Sequence, residues 1–219
     1  MVRNVLIAAL VLLGVLVVVV MLQPSELRVV RSAHVAAPPE VVFDQLDDFV
    51  AWQRWSPWQD LDPQMQKEVG GPESGVGAWY TWSGNEDVGQ GRMEILSATA
   101  PERVVWDLQF LSPWEARNTT TIEIDPDGEG STVRWTMTGP QAFMAKAAGL
   151  FMDMDAMIGA DFERGLGRLD AVARDEAAKR KEAAEAAEAM RQAEEAAELE
   201  APQAAADGEA MQEEVDAAE

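Results

Sequence analysis

Apolar positions follow three rhythms along this chain. Residues 5–22 form a run of 18 with no charge and no strongly polar side chain. As a helix the run spans about 27 Å at about 1.5 Å per residue, close to the roughly 30 Å hydrocarbon core of a bilayer. Residues 27–137 hold short stretches in which apolar and polar residues alternate, the period of half-buried strands. From residue 140 to about 175 the apolar residues recur at three and four. Phe143, Ala147, Leu150, Met154 and Met157 make one stripe; Met144, Phe151, Ile158, Phe162, Leu166 and Leu169 make the adjoining one. That spacing predicts one long amphipathic helix with a broad apolar face, which a preceding sheet must cover.

The first rhythm predicts an anchor. A helix apolar on all sides is unlike one packed at the edge of a small core. Met21-Leu22-Gln23-Pro24 offers no small-x-small cleavage pattern, so an uncleaved transmembrane helix is expected rather than a signal peptide. Arg3 on one side, against Arg28 and Arg31 on the other, hardly sets an orientation. The short, charge-poor leader favours the amino terminus inside and the domain on the extracytoplasmic side. The expected organisation is a leader at 1–4, an anchor at 5–22, a linker at 23–26, a domain at 27–175 and a tail at 176–219. A linker of four residues holds the domain at the bilayer surface.

Within the domain, residues 27–35 read as a strand with Val29, Arg31, Ala33 and Val35 on one face. Pro38-Pro39-Glu40 then opens a short helix, with proline in the first turn and glutamate at the positive end of the dipole. A second short helix carries Trp52 and Trp55. Six strands follow, near 65–69, 76–83, 91–95, 103–110, 118–124 and 133–137, divided by turn residues such as Gly70-Gly71-Pro72 and Ser112-Pro113. The expected fold is α+β: a curved antiparallel sheet of about seven strands around the long C-terminal helix, plus the N-terminal transmembrane helix.

Charge and residue types narrow the function. With 17 basic and 39 acidic residues the net charge is −22, which argues against a nucleic-acid surface. Thirteen acidic residues and one basic lie from Glu182 onward, so −12 of that sits in the tail. Alanine and glutamate favour helix there, but no apolar stripe is present to dock it. A solvated helix as far as Pro202, then disorder, is expected, with an acidic arm for a protein partner as the alternative. Cysteine is absent and His34 is the only histidine, so no metal site, cofactor or Ser-His-Asp triad is expected. His34 alternates away from Ala33 and Val35, toward the outer face.

The order of elements resembles the helix-grip fold of the START-like, or SRPBCC, superfamily. The motifs Arg31-Ser32, Ala37-Pro38-Pro39-Glu40-Val41-Val42-Phe43 and Trp55-Ser56-Pro57-Trp58 resemble its polyketide cyclase/dehydrase and lipid-transport-like branch. So do Gly75-Val76-Gly77-Ala78, Trp82-Ser83-Gly84-Asn85, Gly89-Gln90-Gly91-Arg92-Met93-Glu94-Ile95 and the segment 154–166. The resemblance covers roughly residues 27–173. It implies a hydrophobic cavity between sheet and helix, and an N-terminal membrane anchor, without implying a reaction.

Candidate cavity residues come from the alternation. Tyr80, Trp82, Trp106 and Trp135 fall on predicted inner faces, where flat rings line apolar space and N–H or O–H groups fix a polar end. Leu108 shares the strand phase of Trp106, while Met93 and Met154 add an adaptable lining beside Ile158. Asn85, Asn118 and Thr120 are the polar candidates. Asp155 shares a stripe with Phe151, Ile158 and Phe162, where a carboxylate is costly unless paired, so it is the candidate catalytic residue. Its alternative is an edge position bonded to backbone or an indole. Asp153 and Asp161 read as solvated or capping. Three functions follow: a membrane-anchored domain binding a hydrophobic or lipid-like small molecule, a polyketide cyclase/dehydratase-like enzyme using a cavity carboxylate, and a partner-binding role through the acidic tail. The first, without catalysis, is the expected one.

Overall fold

The computed structural model describes the backbone of residues 2–216 and the side chains of residues 2–197. The elements are α1 (Val2–Leu22), β1 (Glu26–Val35), α2 (Pro39–Phe43), α3 (Phe49–Trp55), β2 (Gln66–Gly70), β3 (Trp79–Ser83), β4 (Gln90–Thr99), β5 (Arg103–Ser112), β6 (Ala116–Asp127), β7 (Gly130–Pro140), α4 (Phe143–Ala148) and α5 (Met154–Asp216). The chain divides into two compact units, Met1–Arg174 and Asp175–Glu219. α1 is long and apolar enough to cross a membrane, and 6% of its most apolar stretch is buried by the rest of the molecule.

Seven strands form one antiparallel sheet in the order β1-β7-β6-β5-β4-β3-β2. Hairpins join β3 through β7 in sequence, while α2 and α3 carry the chain from one edge, β1, to the other, β2. Two register shifts between β4 and β5 leave one extra residue in each strand, Leu111 in β5 beside Gln90/Gly91 and Leu96 in β4 between Ile95 and Ser97. Such bulges bend a sheet and raise its twist, and the sheet is curved.

α5 lies along the concave face. Phe162, Leu166, Leu169 and Ala173 are buried at helical spacing, and the Phe162 ring stacks on Trp135 at 4.1 Å with a 7° interplanar angle. Burying three such large side chains is worth about 5–9 kcal/mol before entropy. Arg31 sets the direction of the helix at its start, accepted by Asp155 and Glu163. Further along, the Ala36 N–H donates to Asp170 Oδ1 at 2.8 Å. Thus α5 runs beside β1, from the end of the sheet where β1 begins toward the end where it stops.

The single helix expected over residues 140–175 is broken. β7 reaches Pro140, α4 makes under two turns, and residues 149–153 leave the helical path before α5 begins. Asp153 caps that second start, its Oδ1 accepting the Ala156 N–H at 2.9 Å. The break resets the helical phase. Phe143, Met144 and Phe151, expected on the buried stripes, are therefore exposed, whereas Phe162, Leu166 and Leu169 are buried. Within the second unit, Lys179–Asp175, Arg180–Glu176 and Lys181–Glu185 pair at i,i+4. α5 continues through Pro202 to Asp216, beyond the end expected from the sequence.

Candidate functional site

Antiparallel register lays the inner side chains out in rows across the sheet. One row is Val104, Ile122, Trp135 and Arg31. The next is Ile95, Trp106, Thr120, Met137 and Val29. The third is Tyr80, Met93, Leu108 and Asn118, and the fourth is Trp82, Gly91, Phe110 and Ala116. Eight of the ten cavity residues named from the alternation thus lie together on one surface. Met154 and Ile158 lie half-buried in the opening turns of α5.

Packing changes from row to row. Val104, Ile122 and Trp135 are at most 2% exposed; Trp106, Thr120 and Met137 reach 4%; Tyr80, Met93, Leu108 and Asn118 span 4–9%. Trp82 and Phe110 in the fourth row are half-buried. The concave face is sealed at one end and loosens toward the end where β1 starts and β7 stops.

The sealed part is aromatic. Trp52 meets Trp55, Trp106 and Trp135 edge-on, at centroid distances of 4.4, 5.2 and 5.9 Å. The Trp55 indole donates to the Gln45 carbonyl at 3.0 Å. Trp106 Nε1 and Trp135 Nε1 are buried with no hydrogen-bond partner. Edge-to-face ring contacts recover part of what a missing acceptor costs. At this level the space between sheet and helix is filled by rings. Two open concavities, of about 530 and 430 Å³, lie elsewhere. The larger is lined by residues including Asp107 in the middle of β5, Arg117 and Asn118 of β6 and Gly139 of β7, the other by residues around Glu102 and Asp125, and α5 contributes to neither lining.

Tyr80 sits below Phe49 (6.1 Å) and stacks with Trp82 (6.0 Å, 19°). Burial pushes its hydroxyl up to about 12. Trp82 donates to the Val88 carbonyl at 2.9 Å, which fixes its plane.

Asp155 is not in the buried stripe expected for it. Its side chain is 55% exposed and pairs with Arg31 at 3.0 Å. Starting α5 at Met154 puts Asp155, Gly159 and Glu163, spaced by four, on the flank facing β1. Arg31 is an inward-phase residue of an edge strand, so its guanidinium reaches this flank and also bonds Glu163 at 2.9 Å. The hydrogen bond to Asp155 raises the Arg31 pKa against the opposing effect of burial, and Glu163 adds to the rise. Gly159 makes the approach possible, since a Cβ there would fall on Arg31 Nη2. Sequence reasoning placed Arg31 on the inner face but missed this clip. Its signal was a lone charge among Val29, Ala33 and Val35, matched by two carboxylates spaced four from a glycine.

A second polar group lies on the outer face. Asp107, 6% exposed, accepts from Arg117 Nε at 2.7 Å and from Gln109. Burial raises its pKa, but the hydrogen bonds from Arg117 and Gln109 outweigh that and leave it below the usual carboxylate value. Asp161 accepts from the Trp58 indole at 3.2 Å. His34 is exposed, 3.3 Å from Asp127. Among the described residues no three His, Cys, Asp or Glu side chains converge on a metal-sized site.

A curved antiparallel sheet closed on one long helix, with its inner rows graded from sealed to open, defines a helix-grip domain of the SRPBCC, START-like type. Residues 26–174 match the family of polyketide cyclase/dehydrase and lipid transport proteins, and the chain belongs to that family. An uncharacterised protein from Rhizobium leguminosarum is 13% identical, with a TM-score of 0.51, over 68% of this chain and 95% of its own. Ginseng major latex-like protein 151 from Panax ginseng is 11% identical, with a TM-score of 0.50, over 68% and 97%. At these identities the likeness is one of fold. No curated protein matches the sequence.

Proposed function

We propose that the domain binds a hydrophobic or lipid-like small molecule on the concave face, with α1 as a membrane anchor and the domain on the extracytoplasmic side. The family supports the class of ligand, since its members include lipid-transport proteins. The observation that carries the reading is the row-by-row loosening of the inner face, from Trp135 through Trp106 and Tyr80 to the half-buried Trp82 and Phe110. A guest admitted at the loose end meets Leu108 and Met93, with Asn118 as a polar contact. Admission moves the first turns of α5 off the sheet. Those turns are held by the Arg31 ion pairs with partly exposed carboxylates, and pairs that water reaches contribute little. Phe162, Leu166 and Leu169 stay as the hinge-side grip. The ion pair occupies Asp155, so no observation favours a catalytic base there.

The test uses full-length protein in phosphatidylcholine nanodiscs titrated with cis-parinaric acid, read by energy transfer from tryptophan. Saturable one-to-one binding is expected, weakened about tenfold or more by Leu108→Trp, which fills the third row; circular dichroism checks that this variant folds. Non-saturable transfer, equal to that of empty nanodiscs, overturns the reading. A native mass spectrum of detergent-extracted protein is expected to carry one extra small-molecule mass. Alkaline phosphatase fused after the tail should be active if the domain is extracytoplasmic.

A further inference from the structure

The exposed large apolar side chains outside α1 are unevenly placed. Trp114, Phe143 and Phe151 are the exposed aromatic residues among the described ones, at 81, 48 and 84%. All three belong to one end of the sheet. Register brings together the start of β1 with the end of β7 (Glu26↔Pro140), the start of β6 with the end of β5 (Ala116↔Phe110), and the start of β4 with the ends of β5 and β3. Trp114 is in the β5–β6 turn there. Phe143 follows β7 directly and opens α4, which Lys146 ties to Ser25 just before β1, and Phe151 lies three residues beyond the end of α4. Leu111, Met144 and Met152 are exposed at the same end. At the opposite end, the turns around 71–78, 100–102 and 127–130 carry Val76 as their one large exposed apolar residue. They hold Glu73, Glu102, Asp127 and Glu129 besides.

The apolar end is also where α1 attaches. Three residues separate Leu22 from Glu26, a reach of no more than about 14 Å. Ser25 in that link accepts the Gln141 N–H through its carbonyl at 2.9 Å, and the Lys146 ammonium through its hydroxyl at 2.9 Å. α4 is therefore tied to the base of α1, and Val20 near the end of α1 is buried.

We infer that this end is a membrane-docking surface: Trp114, Phe143, Met144 and Phe151 enter the interfacial layer of the same bilayer that α1 crosses. The inference rests on the anchor reading above. Tryptophan and phenylalanine are suited to the boundary between headgroups and acyl chains, and methionine adapts to its disorder. Glu26, Glu86, Asp87 and Glu115 outnumber Arg28, Arg117 and Lys146 at the same end, and Arg117 is already paired with Asp107, which favours a zwitterionic surface over an anionic one. Docked this way, the loose rows of the concave face open onto lipid and not onto water.

The chain has no cysteine, so single labels are unambiguous. Full-length W114C, F151C, E129C and L13C, each carrying an NBD fluorophore, are placed in phosphatidylcholine nanodiscs with or without doxyl-labelled lipid. Labels at 114 and 151 are expected to be quenched several-fold more by a shallow doxyl group than the label at 129, and the label at 13 by a deep one. If 13 is quenched while 114 and 151 behave like 129, the docking surface is wrong and the anchor stands. If 13 is unquenched, the anchor fails and docking with it. Blue-shifted emission at 114 and 151 without doxyl quenching means a second copy covers the patch, which also overturns the proposal.

Discussion

Tyr80 is the only tyrosine in the chain, so its ionisation reports one site of the inner face without overlap. Burial pushes it up to about 12 from an ordinary 10.0. The folded chain holds this proton more tightly than the unfolded chain. Its contribution is therefore intact below pH about 10 and lost as pH climbs toward about 12. Phenolate absorbance is expected to rise near pH 12 in buffer and near pH 10 in guanidinium chloride; a folded-state rise near 10 would place Tyr80 in water. Two glycines of α5 separate the clip from the core in the same residue-level way. A Cβ at Gly165 meets Trp135 Cζ3 at 2.8 Å and Pro57 at 3.2 Å, both packed and immobile. Gly165→Ala is expected to destabilise by about 1–3 kcal/mol, despite a helix-propensity gain of roughly 1 kcal/mol. At Gly159 the obstacle is the mobile tip of Arg31. Gly159→Ala should leave the melting temperature nearly unchanged or raised while detaching Arg31 from Asp155. Equal losses in the two variants would mean that Arg31 is held as rigidly as Trp135.

Among elements, the helical segment after β7 shows where pattern reading works and where it stops. Alternation in the strands identified the inner phase because register is fixed once one face is buried, and Tyr80, Met93, Leu108 and Asn118 fall into one cross-sheet row. Periodicity over 140–175 could not show the break at 149–153. A short amphipathic segment looks the same whether its apolar face meets a sheet or a lipid, and only tertiary placement decides. Asp155 is misplaced for a related reason: of its stripe partners only Phe151 lies before the break, while Ile158 and Phe162 share α5 with it, but in the first turn of α5 its carboxylate is 55% exposed and pairs with Arg31. The two halves should respond unequally to truncation. Phe162→Ala removes a ring stacked on Trp135 and is expected to cost about 3–5 kcal/mol. Phe151→Ala, at an exposed site, should stay within about 0.5 kcal/mol in detergent. Chemical denaturation of the two variants checks the contrast, and a large loss at Phe151 would show that residues 149–153 are part of the core.

For the whole molecule, the contrast is between helix that buries an apolar face and helix that does not. Residues 162–173 of α5 are docked through Phe162, Leu166, Leu169 and Ala173. Residues 178–197 are exposed throughout, and what supports helix there is alanine propensity and exposed i,i+4 pairs such as Lys181–Glu185. Each such pair contributes about 0.2–0.5 kcal/mol, too little to hold a long helix closed without tertiary packing. Hydrogen exchange on the intact protein is expected to protect amides of β4–β7 and 162–173 for hours. Those of 178–197 should exchange within seconds to minutes. Charge sharpens the expectation: glutamates at 182, 185 and 188 repel at spacing three, so added salt should slow exchange in the tail while leaving the docked amides unchanged. Slow exchange across 178–197 in the purified chain would instead mean that a surface covers this helix, and the acidic arm would then have a partner within a second copy of the same protein.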